Sequence, residues 1–303
     1  MSAARLGPAM SDHGALVRRE RRGATLLLTL DHPPVNVLSV PVVEALSEAF
    51  DAVEADPEVR VVVLASAAEK AFGAGADVRE MRALTVEAAR EHARRGQALT
   101  RQMERLPFPV IAAVHGVCFG GGLEVALACD FIVASEDTQF GQPEINLGVM
   151  PGWGGTRRLP RRIGAARARR WILTGRPVTA REAETSGLVD RVVPRAELLA
   201  SALALAGELS EKPPVALATA KYAVLHAIDP EIDEGLAYEL DLWSRLFGTE
   251  GQRERMAAFS DKRPPPALGR SRWSEESSGF PWHPGASTMS KGKRDKSPAP
   301  PRP

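Results

Sequence analysis

The N-terminal half of the chain alternates between β-branched apolar runs and segments whose apolar residues recur every three or four positions. Ala15–Glu20 and Thr25–Asp31, parted by Arg22-Gly23, predict two strands. From about Val40 to Ala55 the positions Val43, Leu46, Phe50 and Val53 keep a helical period, which Asp56-Pro57 stops. Val59–Ala65 and Val110–Val114 are unbroken apolar runs, the pattern of strands covered on both faces. Between them a loop of small residues, Phe72-Gly73-Ala74-Gly75-Ala76-Asp77, leads to a long amphipathic helix over about Thr85–Arg105, ended by Pro107 and Pro109. A second such loop, Gly116–Gly122, leads to a short helix over Leu123–Cys129, and Phe131–Ala134 and Thr138–Phe140 predict two short strands. From about Ala165 helical patterns dominate: Ala165–Thr174, Ala180–Ser186, Arg195–Leu209, Val215–Ala227, Ile232–Phe247 and Arg253–Phe259. Strand–helix alternation followed by helices predicts an α/β core with a helical C-terminal section.

Composition refines that outline. With 44% hydrophobic and 25% charged residues over 303 positions, the chain is neither collagen-like nor wholly disordered. Its net charge of +1, from 39 Lys+Arg against 38 Asp+Glu, removes the main sequence argument for a nucleic-acid or anionic-membrane partner. The balance is uneven, because residues 263–303 carry a net +5 and nine of the 24 prolines, leaving −4 on residues 1–262. That end lacks apolar periodicity and reads as a disordered basic tail. No run reaches the roughly 18 apolar residues of a membrane span. The first residues contain no apolar signal core, so a cytoplasmic location is expected, with Met10 an alternative start. The two cysteines, Cys118 and Cys129, lie in apolar stretches and read as small buried thiols.

Several chemistries fail on motif grounds. Gly73-Ala74-Gly75 lacks the third glycine of a dinucleotide fingerprint, and Gly116–Gly122 is not followed by the Lys-Ser/Thr of a phosphate loop. There is no Gly-x-Ser-x-Gly elbow. The six histidines lack ligand spacing, so no metal site is expected, and His115 at a strand end reads as structural. What remains is the pair of small-residue loops, each after a buried strand and each leading toward a helix. Small residues let backbone N–H groups approach a ligand closely, and two such loops can supply one N–H each to a single oxygen. Glu124 follows Gly121 by about one helical turn in an otherwise uncharged stretch. Glu144, in Phe140-Gly-Gln-Pro-Glu-Ile145, is a second acid that could serve the same place. Two carboxylates beside such a site suit proton transfer on a carbonyl compound. The residues alone leave equal room for Glu124 to pair with a buried arginine, and for the glycines to do no more than make turns.

These residues resemble the signature of the crotonase (enoyl-CoA hydratase/isomerase) superfamily. The matching blocks are Lys70–Glu80, Pro109–Glu124 and Phe140–Gly152, with further matches at Gly154–Leu159, Leu173–Arg176, Ala183–Val193 and Ala258–Arg263. Order and spacing agree from about residue 14 to residue 263. The resemblance implies a spiral of repeated ββα units with a helical trimerisation region. It divides the chain into an extension over 1–13, a spiral catalytic core over 14–194, a helical region over 195–262 and the tail over 263–303.

It also implies an acyl-CoA substrate, no separate cofactor (CoA is part of the substrate), no metal, and assembly as a homotrimer or dimer of trimers. The family's oxyanion amides fall on Ala76 and Gly121 and its two hydratase acids on Glu124 and Glu144. Ala76, Asp77, Val78 and Arg79 stand where relatives line the CoA and thioester site, with Phe259 and Lys262 in the stretch that reaches a neighbouring subunit's CoA. Retention of both acids implies syn addition of water to a trans-2-enoyl-CoA, giving a 3-hydroxyacyl-CoA. A Δ3-Δ2-enoyl-CoA isomerase or other crotonase-fold acyl-CoA enzyme, and a non-enzymatic RNA-binding hydratase homologue, are the alternatives. Three residues depart from the commonest pattern: Trp153 in Pro-Gly-x-Gly-Gly, Phe119 before the glycines, and Arg79 where Lys is frequent. Bulk at Trp153 would either reshape the acyl pocket or serve loop packing.

Overall fold

The computed structural model describes residues 15–82 and 84–227, together with Glu250, Glu254, Ala258 and residues 261–264. The predicted extension over 1–13, the helix over 232–247, Phe259 and the tail beyond residue 264 lie outside the described residues. The strands are β1 (Val17–Arg22), β2 (Thr25–Leu30), β3 (Val37–Leu38), β4 (Val61–Ser66), β5 (Ala71–Gly73), β6 (Gly75–Ala76), β7 (Val110–Val114), β8 (Val117–Phe119), β9 (Phe131–Ser135), β10 (Gln139–Gly141), β11 (Val178–Thr179) and β12 (Arg191–Val193). The helices are α1 (Val40–Glu54), α2 (Val78–Met81), α3 (Val86–Arg105), α4 (Gly121–Leu127), α5 (Gly155–Ile163), α6 (Ala165–Thr174), α7 (Ala180–Ser186), α8 (Leu198–Ser210) and α9 (Pro214–Ala227), with 3₁₀ turns at Pro143–Leu147 and Arg195–Glu197.

Successive turns of the chain place one strand in each of two sheets. β4, β7 and β9 lie side by side and parallel in a sheet of order β1-β2-β4-β7-β9-β12, while β5, β8 and β10 lie side by side in a second sheet of order β11-β10-β8-β5. A helical segment follows each pair, which makes the repeating ββα unit of the spiral. The residues after β6, after β8 and after β10 come together in space.

The continuous apolar runs occur where the sheet is covered twice. Val62, Leu64, Val110, Ala112 and Val114 face the main core with α1, whereas Val61, Val63, Ile111 and Ala113 face Leu198, Ala202 and Ala206 of α8. Side chains alternate across a strand, so a strand between two apolar layers needs apolar residues at every position. α1 buries Val43, Leu46, Phe50 and Val53, the stripe read from the sequence, together with Val42 and Ala49. α3 starts where Thr85 accepts a capping bond from Ala88 N at 3.2 Å.

The structure shifts the short helix and adds a helix that the sequence pattern does not show. The short helix begins at Gly121, two residues before the predicted start, because Gly122 packs against β5: a Cβ there would lie 2.2 Å from Gly73 O. α5 was not expected, since it opens on glycine and contains Pro160. Its buried Leu159 and Ile163 anchor it against α4 and α6, and tertiary burial outweighs poor local propensity.

Candidate active site

The two loops meet. Asn36 holds the first of them: its side chain donates to Ser66 Oγ at 2.7 Å and to Phe72 O at 3.1 Å, and accepts from His32 N at 2.8 Å. This fixes β3, which pairs in parallel with β6 through Leu38 and Ala76. Gly75 (φ +96°) and Gly120 (φ +53°) both occupy backbone conformations that a side chain disfavours. A methyl on Gly75 would also lie 3.2 Å from Phe119 O and 3.6 Å from Gly121 N, so the loops are in contact at these positions. Ala76 ends β6 and Gly121 opens α4, where the first turn's N–H groups have no partner within the helix.

Glu124 lies one turn into α4 and is 2% exposed. Its Oε1 accepts from the backbone N–H of Trp153 and of Gly155, each at 2.7 Å. Burial raises its pKa, and the two N–H donors and the more distant Arg158 charge oppose that rise. The pairing with a buried arginine considered from sequence is therefore not the arrangement found. Arg158 instead forms a two-point pair with Glu104, both contacts at 2.6 Å, and donates to Trp153 O at 2.8 Å.

Glu144 sits in the 3₁₀ turn after β10, half-buried, with its carboxyl beside Gly120; a Cβ on Gly120 would lie 3.3 Å from its Oε1. Its pKa is pushed up to about 7, first by burial and further by the charge of Glu124. With its amide nitrogen turned toward the carboxyl, fully buried Gln142 donates to Glu144 Oε1 at 2.7 Å and Oε2 at 3.1 Å.

The loop that grips Glu124 is itself held by α3. Gln97 Nε2 donates to Gly152 O at 2.9 Å, and Thr100 Oγ1 to Trp153 O at 3.1 Å. These residues and Glu104 recur every three or four positions along α3, so one helix face sets the height of residues 152–155.

A cavity of about 220 Å³ collects Ala76, Val78, Gly121, Glu124 and Glu144, with His92 and Trp153 on its α3 side. Asp77 and Arg79 do not line it. Asp77 caps α2, accepting from Arg79 N at 2.8 Å, and its pKa is held down by the Arg79 side chain, which is 89% exposed. Lys262 is exposed, with φ +54°, and does not line the cavity either. Phe119 also stays out of it and packs against Gly141. His115 is structural, its Nε2 bonded to Ala68 O at 2.8 Å, and burial pushes both cysteine thiols up. Sequence reasoning missed Gln142, His92 and Gly96. Gln142 had one available signal, an amide two residues before a candidate acid and next to a glycine at a strand end.

A ββα spiral with two glycine-rich loops, a buried acid and a half-buried one on one cavity defines an enzyme of the crotonase fold, suited to carbonyl chemistry. The Enoyl-CoA hydratase/isomerase family profile matches residues 20–269, and the chain belongs to that family. It is 38% identical over 245 residues to a short-chain-enoyl-CoA hydratase of Clostridium acetobutylicum, covering 80% of this chain and 94% of the relative. A probable enoyl-CoA hydratase of Mycobacterium bovis is 43% identical over 251 residues, covering 82% of this chain and 96% of that one. The crystal structure of an enoyl-CoA hydratase from Bacillus anthracis superposes with a TM-score of 0.79 at 36% identity, covering 83% of this chain and 98% of that chain.

Proposed function

We propose that this protein is an enoyl-CoA hydratase that adds water across the double bond of a trans-2-enoyl-CoA. The observation that carries the reading is the convergence of Glu124, Glu144, Ala76 and Gly121 on one cavity. The N–H groups of Ala76 and Gly121 would hold the thioester oxygen and take up the enolate-like charge that develops as C3 is attacked. Water would lie between the acids. Glu124, held by two backbone N–H groups that favour its carboxylate, takes a proton from the water as oxygen bonds to C3. Glu144, with a pKa near neutrality, delivers a proton to C2. The product is a 3-hydroxyacyl-CoA, and no separate cofactor is consumed because CoA arrives on the substrate.

The same reading includes assembly as a trimer or dimer of trimers in the cytoplasm, with Phe259 and Lys262 reaching the CoA of a neighbouring subunit. Exposed Leu147, Val149 and Met150 at the cavity, with exposed Ile145 and Leu173, support an oligomer, and the two free thiols fit a reducing compartment. The test is the loss of unsaturated-thioester absorbance when the protein meets crotonyl-CoA. Wild-type turnover in the double variant Glu124→Gln, Glu144→Gln would sink the mechanism, and conversion of 3-enoyl-CoA without hydration would assign an isomerase.

A further inference from the structure

Trp153, one of the three departures from the common family pattern, stands at one end of the cavity. Trp153 is 3% exposed. On one side its indole lies against Gly121, where a Cβ would fall 2.9 Å from Cζ3 and 3.1 Å from Cε3. On the other it fills a notch in α3 at Gly96, where a Cβ would fall 2.1 Å from Cδ2 and 2.3 Å from Cε2. Any side chain at position 96 would displace the ring, so the indole and the missing side chain are matched. The His92 ring stands 5.8 Å from the indole, tilted by 46°, and closes the same wall. Beyond the ring is a second cavity of about 520 Å³, lined by Arg101, Glu104, Arg157 and Arg158, and Trp153 is the one described residue common to both.

We infer that Trp153, seated in the Gly96 notch, is the floor of the acyl pocket and restricts the enzyme to short acyl chains. The inference takes its reaction from the hydratase reading above; its geometry stands separately. A thioester oxygen resting at the amides of Ala76 and Gly121 puts the acyl carbons beside Gly121, where the indole is the next atom layer inward. Carbons past C3 that continue in this direction meet the ring, and behind it a charged chamber instead of apolar space. At about 220 Å³ the cavity is also smaller than the roughly 300–1,000 Å³ typical of sites that enclose larger ligands.

The experiment compares kcat/KM for trans-2-enoyl-CoAs of four, six, eight and ten carbons in the wild type, Trp153→Met, Trp153→Ala and Gly96→Ala, with folding checked by circular dichroism. Calorimetric binding of butanoyl-CoA and octanoyl-CoA to the same proteins runs in parallel. One methylene that fits or fails to fit an apolar pocket is worth about 10- to 200-fold. The wild type is therefore expected to prefer four carbons over eight by at least about tenfold. Trp153→Met and Trp153→Ala should reduce that ratio about tenfold or more, and Gly96→Ala, which pushes the indole into the cavity, should increase it. Should Trp153→Ala not fold, Trp153→Met and Gly96→Ala carry the comparison, since they move the ratio in opposite directions. Equal wild-type use of four- and eight-carbon substrates, or a ratio unmoved in both Trp153→Met and Gly96→Ala, overturns the inference. If no enoyl-CoA is hydrated while acyl-CoA binding still sorts by length and shifts with Trp153, the hydratase reading falls and the pocket floor stands. Binding that ignores both length and position 153 overturns the floor itself.

Discussion

The amide of Gln142 spans the carboxyl group of Glu144, donating to one oxygen at 2.7 Å and to the other at 3.1 Å. Both side chains lie at the end of β10, where the strand gives way to a 3₁₀ turn, and Gln142 is fully buried. Donors on a carboxylate favour its charged form, so Gln142 acts against the burial and the Glu124 charge that raise the Glu144 pKa.

Gln142→Leu removes the donor without removing the acid. The Glu144 pKa should rise, because the charged form loses its donors while burial is retained. In the pH profile of kcat/KM on crotonyl-CoA, the limb where activity falls with loss of the Glu144 proton should move to higher pH. An unmoved limb with reduced rate would mean that Gln142 only packs.

Glu144→Gln should lower hydration by about 10²- to 10⁴-fold, as expected for losing a general acid or base. The same change should stabilise the fold at alkaline pH. The folded pKa, about 7, exceeds the ordinary value of 4.5, so the folded state binds this proton more tightly than the unfolded chain. Its cost to stability is absent below about pH 4.5, grows as pH rises toward 7 and is complete above that. Discounted for partial solvent contact, thermal melts at pH 8 should show the variant about 1–2 kcal/mol more stable, and melts at pH 4.5 no gain.

Glu124→Gln and Glu124→Ala should separate chemistry from support. Glutamine keeps an oxygen for the N–H groups of Trp153 and Gly155, so the variant should fold normally and lose about 10²- to 10⁴-fold in rate. Alanine leaves two buried N–H groups without an acceptor, at about 1–3 kcal/mol each. Chemical denaturation should place Glu124→Ala well below Glu124→Gln, and equal stability would argue against the observed bonds.

Arg158→Met tests the frame around the loop. It breaks a mostly buried pair with Glu104 and removes a donor from Trp153 O, so a loss of about 3–5 kcal/mol is expected. Adding Glu104→Met should recover much of that stability, since the unpaired buried charge goes with it. Activity should recover less, because Trp153 O still lacks the Arg158 donor that helps fix the residues gripping Glu124.

How much was legible from the chain differs from element to element. β7 and α6 occur over the predicted residues, Val110–Val114 and Ala165–Thr174, and α7 over Ala180–Ser186, because apolar period and turn residues encode which face is buried. The sequence pattern shows β5, β6 and β8 only as parts of the two small-residue loops. Two or three residues carry no period, and these strands exist only because their neighbours complete the ladder. α5 was hidden by Pro160 and by its glycine start.

For the site, Glu124 stood out because a carboxylate in an apolar stretch demands an explanation at any distance, whereas Glu144 stood out as a second acid and through the family resemblance. What the sequence determined by itself was the alternation of strands and helices, the two glycine-rich loops and the two acids, all properties of short windows. The tertiary structure alone decided that Glu124 would be held by backbone N–H groups 29 and 31 residues away, that Thr100 would support Trp153 across 53 residues, and that Gly96 would make room for its ring. Those contacts depend on how successive turns of the spiral stack, and no local periodicity records the spacing between elements that meet only when the core is packed.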